Sequence, residues 1–135
     1  MYKSILIPIA PDHQRDTKAA IDLAEVIRDK DSKVTLLSIV EFIPPYIAQQ
    51  LPDDQMTKNV VDAKVKLQED ADGHRNTNID VIVGHSANGI LDYAEKNEID
   101  CIIVASHRPG YQDYFLGSTA ARVVRHATCA VHVLR

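Results

Sequence analysis

From one end of this chain to the other, short branched apolar runs alternate with stripes of helical period. Ile5-Leu6-Ile7-Pro8-Ile9 is continuous, as expected of a strand covered on both faces of a parallel sheet. After the polar stretch Asp12 to Asp16, Ala20, Leu23, Ala24 and Ile27 fall at i, i+3, i+4 and i+7, one face of an amphipathic helix. Val34 to Val40 is a second buried strand. Phe42 to Asp54 contains Pro44, Pro45 and Pro52, too many for a helix or a central strand, so a surface excursion is expected there. Met56, Val60, Ala63 and Leu67 space a further helix, expected to dissolve in the polar segment Glu69 to Asn78. Ile79 to Val83 has one less buried face and is expected near a sheet edge. Ala87, Ile90, Leu91 and Ala94 repeat the helical stripe, Cys101 to Ala105 is a fourth strand, Ala120, Val123, Val124 and Ala127 are another stripe, and Ala130 to Leu134 is a fifth strand.

Strands alternating with helices imply right-handed crossovers and a doubly wound, Rossmann-like parallel sheet with helices on both faces. The 135 residues suit one domain, 1–135, with a core large enough to fold without disulfides or a structural metal. Formal net charge is -4, which leaves no basic surface to neutralise a run of phosphates, so nucleic acid is not an expected partner. The longest apolar stretch, Ile5 to Pro11, is about a third of the roughly 20 residues a membrane span needs. It follows a single basic residue, Lys3, and leads to no small-residue cleavage site, so a cytoplasmic protein is expected. Cys101 and Cys129 form no CxxC motif and are expected to be reduced packing residues.

Two strand orders are common for such a chain, 2-1-3-4-5 and 3-2-1-4-5, and in both a ligand sits beyond the carboxyl ends of the strands where the winding reverses. For 3-2-1-4-5 that point lies between strands one and four, and the loops that matter are Ile9 to Asp16 and Ser106 to Ser118. The second loop opens a helix at Gly117-Ser118-Thr119. Free amides and the helix dipole make such a terminus an anion site. Gly117 lets a phosphate approach the backbone, Ser118 or Thr119 can cap the helix or donate a hydroxyl to the anion, and His107 and Arg108 supply donors at the opposite rim.

These segments carry a resemblance. Met1 to Ile9, Ala105-Ser106-His107-Arg108, and Leu116-Gly117-Ser118 followed by Val123 to Arg135 are similar to the universal stress protein family over essentially the whole chain, and the Ala-Ser-His-Arg-Pro form resembles its bacterial F/G-type branch. The resemblance implies the order 3-2-1-4-5, a homodimer in which fifth strands pair through 130–134, and, for one group of members, bound ATP. The family's ATP pattern is Gly, two residues, Gly, nine residues, then Gly-Ser or Gly-Thr. Here Ala105 stands at the first glycine and Arg108 at the second, and eight residues separate Arg108 from Gly117. Arginine in place of glycine adds a guanidinium that can clamp phosphate oxygens. An aspartate that contacts the nucleoside in ATP-binding members is replaced by Ala10. Pro8, Ile9, Ile39 and Val104 are implied to enclose the adenine, and the turn Val83 to Asn88 to lie near the ribose.

The leading expectation is therefore an ATP-binding stress-response protein, a nucleotide-dependent regulatory module with at most slow, Mg2+-assisted hydrolysis. The alternative is a homodimeric scaffold, or partner-binding protein, that has lost nucleotide binding, which Ala10 and the altered glycines motivate. The six histidines show no metal-ligand spacing, so no metal is expected, and Ser106-His107 lacks a nearby acid and is no nucleophile elbow, so no catalytic triad is expected. A phosphoacceptor receiver domain would need acidic residues ending strands one and three, where Ile9-Ala10 and Val83-Gly84 stand. The excursion at 42–54 is expected to overlie the nucleotide mouth or to contact a second dimer, giving a tetramer.

Overall fold

The computed structural model describes residues 1–11, 17–106 and 116–135. Its elements are β1 (Tyr2–Pro8), α1 (Lys18–Ile27), β2 (Arg28–Glu41), α2 (Pro45–Ala48), α3 (Gln55–Ala71), β3 (Thr77–Gly84), α4 (Ser86–Lys96), β4 (Cys101–Ala105), α5 (Ser118–His126) and β5 (Ala130–Leu134). The five strands form one parallel sheet in the order β3-β2-β1-β4-β5, the order the resemblance implies. Covering both faces of the sheet explains the apolar runs within β1 from Ile5, within β2 from Val34, and along β4.

Two buried clusters divide the core. Ile5, Ile7, Ile9, Val34, Leu36, Cys101 and Ile103 face Ala20, Ile21 and Ala24 of α1 and Leu67 and Ala71 of α3. Leu6, Leu37, Ile39, Ile102 and Val104 face Ile90 and Ala94 of α4 and Ala120 and Val123 of α5. The alternation along each strand sends consecutive residues to opposite layers. β3 and β5 are the sheet edges, and the half-buried pattern of β3 agrees with its expected place.

Three boundaries differ from the sequence reading. A single helical turn, α2, stands within the proline-rich excursion, because Pro45 occupies its first position, where the missing amide costs nothing, and Ala48 N–H donates to the Pro44 carbonyl at 2.9 Å. α3 continues through the polar residues Glu69 and Asp70 to Ala71, since Ala63, Leu67 and Ala71 extend one buried stripe at intervals of four. β2 begins at Arg28 rather than Val34. Between Tyr2, paired with Arg28, and Ser4, paired with Lys33, the register shifts in an irregularity. The Arg28 side chain organises it: Nε donates to Ser32 Oγ at 2.6 Å, Nη2 to the Ser32 carbonyl at 2.8 Å, and Nη1 to the Arg75 carbonyl at 3.0 Å and to Glu25 at 2.8 Å. Among the described residues no helix is long and apolar enough to cross a membrane.

Candidate functional site

β1 pairs with β2 on one side and β4 on the other, so the winding reverses between β1 and β4 and a crevice opens beyond their carboxyl ends. The floor there is built from Pro8-Ile9-Ala10 and Val104-Ala105-Ser106. Ala10 and Ala105 are exposed, while Val104 is buried in the α4/α5 layer with Ile39 of β2. Ile9 belongs to the other layer. Its amide donates to the Leu37 carbonyl at 2.8 Å and its carbonyl accepts from Ser38 Oγ at 2.7 Å, so Ile9 locks β1 to β2 and does not share a wall with Ile39 and Val104.

α5 starts directly over this edge. Gly117 is its N-cap residue, with no side-chain capping bond and no acidic residue in the first turn. Its carbonyl accepts from the Ala121 amide at 2.8 Å, the first turn of the helix ladder. Gly117 has φ of -56° and ψ of 150°, a conformation open to any residue. A Cβ built there would meet only the Ser106 carbonyl oxygen, at 3.7 Å, an ordinary contact. Neither backbone nor packing therefore demands glycine at 117. The neighbouring Ser106 is 8% exposed; its amide donates to the Leu134 carbonyl at 2.9 Å, while its Oγ has no hydrogen-bond partner among the described residues. Ser118 is exposed and Thr119 half-buried. His107 and Arg108 lie outside the described residues.

α4 starts on the same side of the sheet. The residue at the end of β2, Glu41, reaches across to it: Glu41 Oε1 accepts from the Ser86 amide at 3.1 Å and from Ser86 Oγ at 2.7 Å, and Oε2 lies 3.4 Å from His85 Nδ1. The hydroxyl of Ser86 holds the Glu41 carboxyl below its ordinary pKa, outweighing the desolvation that opposes it, with the Ser86 amide and His85 acting in the same direction as the hydroxyl. Glu41 thus caps α4 from a distant strand, as an acidic group at a helix start should. α4 also meets α5 through Arg122 Nε, which donates to Asn88 Oδ1 at 3.1 Å. Gly89 lets α4 pack closely on β2, since a Cβ there would stand 2.7 Å from Ile39 Cδ1. The sequence points to the turn before α4 but not to Glu41, whose partner is 45 residues away; the one available signal is a charged residue closing an apolar strand.

A separate cavity of about 190 Å3 lies at the opposite edge, between the ends of α4 and α5, lined by Leu91, Glu95, Ile99, His126 and Cys129 among others. Burial raises the Cys129 thiol and pushes Cys101 up to about 11. No group of three or more His, Cys, Asp or Glu side chains among the described residues is placed to hold a metal ion.

Comparison with known proteins matches the chain to the model of the universal stress protein family over residues 1–135. It is 32% identical over 143 residues to universal stress protein A homolog 2 of Coxiella burnetii, spanning 99% of this chain and 95% of that one. It is 26% identical over 151 residues, all of both chains, to universal stress protein G of Salmonella typhimurium. Among solved structures it resembles universal stress protein UspA from Lactobacillus plantarum (TM-score 0.78, 25% identity, 99% of this chain and 98% of that one). It also resembles a family protein from Arabidopsis thaliana solved with AMP bound (TM-score 0.66, 15% identity, 98% of this chain and 90% of that one), a likeness of fold.

Proposed function

Since this chain belongs to the universal stress protein family over residues 1–135, we propose that it is a stress-response protein that binds an adenine nucleotide, ATP, in the crevice between β1 and β4, as a cytoplasmic regulatory module rather than a catalyst. One observation carries the reading: among the described residues α5 opens without a side-chain cap beside Ser106, whose hydroxyl is buried and unpartnered. Free helix amides beside a buried hydroxyl donor suit a phosphate. Glycine at 117, which the protein itself does not need, leaves space for a ligand to come close to the backbone.

In this reading Gly117, Ser118 and Thr119 hold the phosphates, with His107 and Arg108 clamping them from the preceding loop. Ile39 and Val104 supply the apolar support for the base, and Pro8, Ile9, Ala10 and Ala105 border it. The AMP held by the Arabidopsis relative supports the base, though neither the triphosphate nor Mg2+. Magnesium would be held mainly by the phosphates, because α5's first turn carries no carboxylate. Hydrolysis is at most slow, because the sequence places no carboxylate in either loop to activate a water. Dimerisation is through the β5 edge.

Calorimetry with ATP and Mg2+, together with heat-release of bound small molecules from the purified protein, tests this. Binding is expected, with a thermal-unfolding stabilisation of about 2.7 kcal/mol at a hundredfold the dissociation constant. Silence in both experiments overturns it. The exposed Ala10, which places no carboxylate at the end of β1, favours the second reading, a partner-binding scaffold without nucleotide. That reading predicts a dimer whose melting temperature ATP leaves unmoved.

A further inference from the structure

Resting on the nucleotide reading, we propose that Glu41 accepts a hydrogen bond from a ribose hydroxyl and so makes this site selective for ribonucleotides. Of the residues that end the five strands, Pro8, Glu41, Gly84, Ala105 and Leu134, only Glu41 carries a carboxylate. Glu41 and Ile39 are two apart on β2 and point to the same layer, the one that α4 and α5 cover. β2 also overhangs the crevice. Its last pairing with β1 is Leu37 with Pro8, and it runs on to Glu41, which stands about 7 Å beyond the level of Ile39.

The carboxylate is prepared to accept. Ser86 takes Oε1 twice, through its amide and its hydroxyl, which fixes the carboxylate plane. Among the described residues Oε2 has the looser approach of His85 Nδ1 at 3.4 Å, and the side chain is 59% exposed. One oxygen is anchored and the other faces outward at the rim, ionised. In this proposal a base lies over Ile39 and Val104 with its phosphates at the start of α5, and its sugar comes within reach of that oxygen. A fixed anionic acceptor rewards a hydroxyl and is left without a partner when the hydroxyl is absent, the kind of site that discriminates strongly. Glu41 thereby supplies, from β2, the carboxylate that Ala10 does not supply from β1.

Isothermal titration of ATP, 2′-deoxy-ATP and 3′-deoxy-ATP against the wild-type protein and Glu41→Ala tests the assignment. In the wild type, removing one of the two hydroxyls should weaken binding about tenfold. In Glu41→Ala, ATP should bind as weakly as that deoxy analogue, with no further loss on removing the hydroxyl. Glu41→Gln, which keeps an acceptor for the α4 cap but loses the charge, should retain part of the penalty, and circular dichroism checks that both variants are folded. A hydroxyl penalty that persists undiminished in Glu41→Ala, or none in a wild type that binds ATP, overturns the proposal alone. A penalty that tracks removal of the adenine amino group instead assigns Glu41 to the base and also overturns it. A wild type that binds no adenine nucleotide overturns the nucleotide reading and this proposal with it.

Discussion

A buried hydroxyl without a partner, such as Ser106 Oγ, destabilises a fold by about 1–3 kcal/mol. Ser106→Ala is therefore expected to raise the urea midpoint of the free protein while lowering its affinity for ATP, and a variant that moves both in the same direction would contradict the role given to that hydroxyl. Glu41 yields a second expectation at this scale. Its folded pKa is depressed below the ordinary 4.5, so its contribution to stability is fully present above that value and is lost as pH falls through the lower folded value. Melting temperatures measured from pH 6 down to pH 3 should show a decline in the wild type that is shallower in Glu41→Gln, and the effect is small because the group is largely exposed. These two residues also mark where the sequence was legible. Gly117-Ser118-Thr119 is contiguous and announces itself as a helix start. Glu41 acquires its role only when the chain brings β2 alongside Ser86.

Elements were legible in proportion to how far burial alone dictates them. Cys101–Ala105 and Ala130–Leu134 coincide with their apolar runs, and the stripe Ala120, Val123 falls inside α5. The first six residues of β2, Arg28 to Lys33, carry five charged side chains and give no strand signal. A buried guanidinium, with hydrogen bonds to Ser32 and to the Arg75 carbonyl, holds them instead of apolar packing. Likewise α2 hides behind prolines that suit a helix start and forbid a helix interior. Arg28→Met takes the guanidinium donor from Ser32 Oγ and the Arg75 carbonyl, and leaves the Ser32 carbonyl to Asn76 Nδ2 and Glu25 to a longer contact with Arg75 at 3.7 Å. A loss of about 3 kcal/mol is expected in chemical denaturation. Arg28→Lys should recover little of it, because one ammonium cannot reproduce the guanidinium fork.

At the scale of the whole molecule the sheet has two open edges, β3 and β5. In β5 the Leu134 carbonyl accepts from the Ser106 amide, so Leu134 and its alternates turn their backbone groups toward β4, and Val131 and Val133 turn theirs outward. Those outward groups are what a second copy would pair with. Val133→Pro removes one outward amide at a position where an edge strand tolerates proline. Light scattering is expected to find dimers in the wild type and monomers in this variant; dimers in both would place the interface elsewhere.

The central position of β1 has a cost in time. It is flanked by β2 and β4, and the Asp100 carboxylate that holds the Lys3 and Ser4 amides at 2.8 and 3.0 Å stands 96 residues beyond Ser4. Translation at about 5–20 residues per second leaves that strand half-clothed for roughly 5–20 s. During that interval the nascent polypeptide carries Ile5, Leu6 and Ile7, wholly enclosed in the finished protein, with one flank still open to solvent or to a chaperone.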